Sequence, residues 1–273
     1  MTTTPRRLDL SPAEVGQALQ ALDSWTPADA LPGPLHSGDL GWELRHGKLI
    51  THLWLDGQTP IAVGFLDGPV MRVSVAPGAD QGLLADDVDK LVGPAEAWCD
   101  GVDALEKLGW TRHDEPWVRM VIAASAIRVD GPTPDLDPAD VADRVAVQRS
   151  GFENSTFTVE RWQTMRRSPA GAGCFEVLVR TPAGEAASAA TGWLAGPGRC
   201  ALVEPMATHS DHRGHGYGRQ TLARLCSGLV ERGASAVAVI TPSTNTAAVA
   251  LYKSAGFTVV GEQRDLYRPA LPA

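Results

Sequence analysis

The sequence predicts an α/β (α+β) chain made by duplication of one α/β unit. Three observations carry that expectation. Strand-like and helix-like apolar patterns alternate through residues 137–273. "DALEKLGWTRHDEPWVRM" (Asp103–Met120) parallels "VALYKSAGFTVVGEQRDLYR" (Val249–Arg268), each with a short helix, a stopping glycine, an aromatic and then strands. Between them, "RVDGPTPDLDPAD" (Arg128–Asp140) has the Pro/Asp-rich composition of a linker. The expected division is therefore residues 1–127, a linker over 128–140, and residues 141–273.

In chain order, the first half offers strands in "LITHLWLD", "PIAVGFLD" and "VMRVSVAP", then a helix around "GLLADDVDKLVG". The first copy of the repeat follows. Past the linker, "DPADVADRVAVQRSGF" joins a helix-start signal to a helical apolar period. A second helix is expected over "TVERWQTMRRS", ended by Pro169. Three strand-like runs come next, "CFEVLVR", "AASAATGWLA" and "CALVEPMAT", the first two joined by the turn-forming "TPAGE". Leu222, Leu225, Cys226, Leu229 and Val230 then form one apolar helix face, with Gly233 placed to end it. "AVAVI" (Ala236–Ile240) reads as a buried strand, and "NTAAVALYKSAGF" as a last helix stopped by Gly256. "TVVGE" and "RDLYR" read as closing strands.

Composition narrows the function classes. With 44% apolar and 21% charged residues the 273-residue chain is ordinary for a globular protein. No apolar region follows the arginines of "MTTTPRRLDL", and no run nears the ~18 apolar residues of a membrane helix. Cys99, Cys174, Cys200 and Cys226 are far apart without a CxxC pair, which suits reduced core thiols in a cytoplasmic protein. The net charge of −8 is uneven, −10 over residues 1–136 against +2 over residues 137–273. An acidic chain has little attraction for a phosphate backbone, so nucleic acid is not an expected partner. Either the acidic half draws in a cationic ligand while the other half holds an anion, or it is a solvated face.

The stretch "HSDHRGHGYGRQ" (His209–Gln220) concentrates the chemistry. His209, His212 and His215 have a helical spacing that could present zinc ligands, but three glycines in the same span oppose a helix, each at about 1 kcal/mol relative to alanine. No metal is expected. The spacing Gly214-x-Gly216-x-Gly218 is neither GxGxxG nor a Walker loop. What remains is a strand, a glycine-rich turn and a helix starting at the turn. Such a start exposes free N–H groups to an anion, with Arg213 and Arg219 adding positive charge. A purely structural β–α turn is the other reading of these residues.

"RGHGYG" (Arg213–Gly218) resembles the [RQ]xxGx[GA] signature of the GNAT superfamily of acyl-CoA-dependent N-acyltransferases, and "STNTAAVALYKSAGF" resembles its second motif, with Asn245 and Tyr252 in place. The resemblance covers about residues 137–268. It implies a tandem GNAT fold, similar in architecture to mycothiol synthase, each half a mixed, largely antiparallel sheet flanked by helices. It also implies acetyl-CoA as cosubstrate, lying in a V-shaped split between two parallel strands. Met206, Ala207 and Thr208 would pair with the pantetheine arm, and the Met206 N–H would polarise the thioester carbonyl. The N–H groups of Gly214, His215, Gly216, Tyr217, Gly218 and Arg219 would hold the pyrophosphate beside Arg213, and Asn245 would contact the pantetheine or cap its helix. Tyr252 would protonate the leaving thiolate.

Some family members carry a strand glutamate where this chain has Ile240. Glu204 is the substitute base, placed by strand alternation on the same face as Met206. The first half has Leu105 where the repeat puts Tyr252, and "APGADQGLL" where the glycine signature belongs. It is expected to keep the fold without the chemistry and to complete the acceptor wall. The function expected is acetyl transfer to a primary amine of a small molecule, a cationic acceptor being favoured, by a monomer or homodimer. A non-catalytic acyl-CoA sensor is the alternative.

Overall fold

The structure, a computed structural model, describes residues 5–271. Its first half runs β1 (Arg6–Leu10), α1 (Gly16–Trp25), α2 (Ser37–Glu43), β2 (Thr51–Asp56), β3 (Thr59–Asp67), β4 (Val70–Val75), α3 (Ala85–Val92), β5 (Ala97–Asp100), β6 (Thr111–Arg112) and β7 (Trp117–Ala123). The second half continues with α4 (Val141–Gly151), α5 (Val159–Arg167), β8 (Cys174–Arg180), β9 (Ala186–Trp193), β10 (Cys200–Thr208) and α6 (Tyr217–Glu231). β11 (Ala236–Pro242), α7 (Thr246–Ser254), β12 (Thr258–Gln263) and β13 (Leu266–Arg268) complete it. Sequence patterning missed β1, α1, α2 and β5, which are short or flanked by Pro and Gly. It also expected an ordinary helix in the first repeat, where Asp103–Leu108 is a 3-10 helix.

The strands form two sheets, ordered β1-β2-β3-β4-β5-β13-β6 and β12-β7-β11-β10-β9-β8. Each half lends its last strand to the other: β7 lies between β11 and β12, and β13 between β5 and β6. Sheet membership therefore crosses the linker. The repeat is visible in hydrogen bonding as well as topology. Gly109 (φ 88°) and Gly256 (φ 94°) both follow a helical turn in left-handed conformation. The next aromatic then donates its N–H to an equivalent carbonyl, Trp110 to Leu105 at 3.3 Å and Phe257 to Tyr252 at 3.0 Å. Leu105 thus occupies the place of Tyr252.

Packing follows residue size. In β9, "AASAATGW", small side chains let α4 cover one face and α6 the other, so nearly the whole strand is buried. One core joins the halves: Leu19, Leu22, Leu35 and Leu40 from the first pack with Leu202, Ala236 and Ala238 from the second sheet. His36 ties the same junction. It caps α2 in a capping box with Asp39, and its Nε2 lies 3.2 Å from the Cys200 carbonyl. All four cysteines are buried and unpaired, and among the described residues no helix is long and apolar enough to cross a membrane.

In the first sheet, β4 and β5 are parallel neighbours from Val70 to Arg72. Beyond Arg72 the Ser74 hydroxyl takes the Leu35 N–H at 2.8 Å and donates to the Leu35 carbonyl at 3.0 Å. The chain's own segment before α2 is therefore seated against the strand end.

Candidate active site

β10 and β11 are the matching parallel pair of the second sheet, and they pair only over Cys200–Leu202 and Ala236–Ala238. Beyond these residues the strands diverge, leaving a split. β10 stays bonded to β9, with a bulge between Val203 and Met206 around the cis Glu204–Pro205 bond. The bulge overturns the expected alternation: Met206 packs with the core under α6 and α7, whereas Glu204 faces a cavity shared with the first half. Trp193 Nε1 holds the bulge by donating to the Glu204 carbonyl at 2.6 Å. The His209 N–H donates back to β9 at Ala187, 2.8 Å away. Strand alternation then turns the N–H groups of Thr208 and Met206 toward the split, while Ala207 bonds toward β9.

The cavity measures about 160 Å³ and is lined by Asp39, Trp42, Glu43 and Arg45 near α2, Phe65 and Asp67 of β3, Arg72 of β4, and Glu204. α2 comes this close because it crosses Trp193 at Gly38, where a Cβ would fall 2.4 Å from the indole. Arg45 pairs with Glu43 at 2.6 Å and lies 4.1 Å over the Trp42 ring. Arg72 is 3.1 Å from Asp67 and 3.9 Å from Asp39. The Glu204 carboxyl has neither a hydrogen bond nor an ion pair among the described residues.

Proton affinities follow from burial and charge. Burial, then the neighbouring Asp39 carboxylate, raises Glu204 to about 8 against the partial relief of Arg72 and Arg45. Burial likewise raises Asp39 to about 6, with Arg72 opposing. Asp100, at the end of β5, rises to about 7 through burial and the Asp265 carboxylate. Tyr252, buried on α7, is pushed up by burial and then by Glu204, so its phenol stays protonated. Glu204 is therefore among the charges that act on the Tyr252 phenol.

At the mouth of the split lies the glycine turn. Gly214 (φ 79°) and Gly216 (φ 81°) are left-handed, a conformation that costs other residues about 1–2 kcal/mol. Gly216 is the N-cap of α6 and has no side chain to occupy the helix start. The first helical bond runs from the Gln220 N–H to the Gly216 carbonyl, so those of Tyr217, Gly218 and Arg219 are free. Among the described residues, no protein group accepts from residues 214–216 either. Six consecutive donors at a helix start suit a pyrophosphate. Arg213 reaches sideways instead, one guanidinium N–H donating to the Gly151 carbonyl at the end of α4 (3.1 Å).

The histidines do other work. His209 and His212 rings sit 5.4 Å apart, His212 lies 3.8 Å from Glu185, and His215 Nδ1 is 2.8 Å from the Arg213 carbonyl. Asn245 caps α7 by accepting from the Ala248 N–H at 3.2 Å, which leaves its side-chain NH2 free to donate. Ile240 pairs with Arg119 of β7 and packs against the shared core.

Residues 143–257 match the Acetyltransferase (GNAT) family. Over these residues, somewhat less than half of the chain, the protein carries an acetyltransferase domain similar to that family, which transfers acetyl groups from acetyl-CoA. Solved structures agree on the two-part fold. A tandem GNAT protein from the clavulanic acid biosynthesis pathway is 18% identical, with 98% of this chain and 99% of that one covered at a TM-score of 0.60. A GCN5-related N-acetyltransferase from Sphaerobacter thermophilus is 17% identical, covering 100% and 98% at 0.57. A GNAT acetyltransferase from Colwellia psychrerythraea is 14% identical, covering 96% and 98% at 0.55. A comparison with curated proteins gives no significant match.

Sequence reasoning missed Asp39, Glu43, Arg45, Asp67 and Arg72, all from the first half. Their local signals are those of helix caps and strands; only the fold collects them around Glu204.

Proposed function

We propose that the protein acetylates a primary amine of a small cationic molecule, with acetyl-CoA in the β10–β11 split and the acceptor entering from the cavity between the halves. The observation that carries this reading is the free Glu204 carboxyl, sharing a cavity with three other carboxyls and two guanidinium groups, at the floor of a split whose mouth is an anion cradle. Acetyl-CoA, when bound, supplies the activated acetyl thioester. The N–H groups of residues 214–219 hold its pyrophosphate, and the Met206 N–H donates to the carbonyl oxygen as charge develops there. Met206, Ala207 and Thr208 line the pantetheine path, with Asn245 beside it.

An alkylammonium has a pKa near ~10.4 and arrives charged. Glu204 removes one proton, freeing the nitrogen lone pair to attack. Tyr252, kept protonated by its surroundings, gives its proton to the departing sulfur and is restored by the second proton that the attacking nitrogen sheds as the amide forms. The first half binds no acetyl-CoA of its own on this reading. Leu35 already occupies the Ser74 strand end, and Leu105 replaces the tyrosine.

Thiol release from acetyl-CoA across a panel of primary amines tests the proposal, with cationic amines expected to turn over fastest. Tyr252→Phe is expected to lower kcat about 10²-fold while leaving acetyl-CoA affinity intact. Gly216→Ala should instead weaken acetyl-CoA binding by about tenfold in calorimetry, the penalty of forcing a Cβ into a left-handed turn. Stabilisation by acetyl-CoA without turnover of any amine would favour an acyl-CoA sensor; neither stabilisation nor turnover would remove the cofactor assignment.

A further inference from the structure

We propose that Arg72, contributed by the first half, is a positioning residue for the acid–base step: its guanidinium keeps Glu204 able to take the acceptor's proton. This rests on the reading of Glu204 as the base.

The geometry is a small, mixed-charge box. Glu204 on β10 faces Asp39 and Glu43 of α2, Arg45 just beyond α2, Asp67 of β3 and Arg72 of β4 in one cavity. Glu43 is matched by Arg45 at 2.6 Å, and that arginine is held further by the Trp42 carbonyl at 2.8 Å and the indole face. Arg72 has no such exclusive partner. It lies 3.1 Å from Asp67 and 3.9 Å from Asp39, and within reach of Glu204 and Asp100 as well. It is thus the cation shared by the carboxyls that Arg45 leaves unmatched. Its position on β4 places it at the end of the β4–β5 pairing, opposite Asp100. In the first half that strand end carries no cofactor on our reading, so its charge serves the site of the second half.

The consequence is a balance of opposing influences. Burial, then Asp39 and more weakly Glu43, push Glu204 toward its protonated form, and Arg72, with a smaller share from Arg45, pulls it toward the carboxylate. Only the carboxylate can act. A proton then passes from R–NH3⁺ to the Glu204 carboxylate, giving R–NH2 and a neutral carboxyl, and nothing else is consumed. Without Arg72 the carboxylate becomes rarer at neutral pH, and catalysis slows for lack of base.

The test reads Glu204 directly, with no acceptor required. In protein labelled with ¹³C-glutamate, the side-chain carboxyl resonance of Glu204 is assigned by its loss in Glu204→Gln and titrated with pH. In Arg72→Gln its midpoint is expected to rise by about one pH unit, equivalent to about tenfold less carboxylate in the acid range. Arg72→Lys is expected to return it to near the wild-type value, and Asp39→Asn to lower it. A midpoint unmoved in Arg72→Gln, or one moved equally by Arg72→Lys, overturns the proposal. If Arg72→Gln fails to fold, an Asp39→Asn midpoint that does not fall overturns it equally. A second readout separates the two ideas. If the midpoints move as stated but Glu204→Gln keeps the wild-type pH dependence of kcat/KM, the charge coupling stands and the base assignment fails.

Discussion

Glu204→Gln is expected to lower kcat/KM for amine acetylation by about 10²–10³-fold on the alkaline side of pH 8, where the carboxylate predominates. Glutamine keeps the shape and can still donate or accept a hydrogen bond, but it takes no proton from an ammonium. In the wild-type enzyme kcat/KM is expected to rise with pH toward about 8, because burial and Asp39 hold Glu204 protonated below that value. The variant should lose this limb. Stability moves in the opposite sense. A carboxyl whose folded-state affinity is raised from 4.5 to about 8 is tolerated in acid, and it becomes a penalty as pH rises through that window. Glu204→Gln should therefore melt higher than wild type at pH 8, with the gain shrinking toward pH 4.5. Lower activity together with higher stability marks a functional group retained against the interest of the fold. Initial rates and thermal melts across pH check both halves of this expectation.

Glu176→Ala carries the largest expected effect on folding, about 3–5 kcal/mol, read as a fall of roughly 6–15 °C in Tm. Glu176 of β8 and Arg144 of α4 are both fully buried and pair at 3.0 Å. The remaining valences are satisfied around them. Arg144 also donates to Gln148 (3.1 Å) and Thr191 (3.0 Å), and Trp162 of α5 donates to the second Glu176 oxygen at 2.6 Å. Removing the carboxylate leaves a guanidinium sealed without a counter-charge, which costs more than the pair itself contributes. Its replacement by Gln keeps most of the hydrogen bonds and should cost less. The network fastens α4 and α5 to the sheet beside the turn that Arg213 ties to α4, so acetyl-CoA binding should weaken as the fold loosens.

The glycine turn and the second-half elements are legible in the sequence because they depend on local rules. Gly214 and Gly216 supply left-handed backbone, Gly256 stops α7, and the apolar face of α6 repeats at helical spacing. Tyr252 is legible through the motif around it. The cavity around Glu204 is not. Asp39 looks like the third residue of a helix cap, and Arg72 like an exposed residue in an alternating strand. Their meeting with Glu204 depends on a core shared between halves, on α2 crossing Trp193 at Gly38, and on a bulge that turns Glu204 away from Met206. The exchange of β7 and β13 is equally hidden, since each strand's own pattern fits either sheet.

The most direct test of the central claim is a crystal structure of the protein with acetyl-CoA bound. We expect one molecule per chain, its pyrophosphate on the N–H groups of residues 214–219 and its thioester in the β10–β11 split, between the Tyr252 hydroxyl and the cavity that holds Glu204. Acetyl-CoA found instead against β4 and β5, or with its thioester pointing away from Glu204 and Tyr252, would contradict the account.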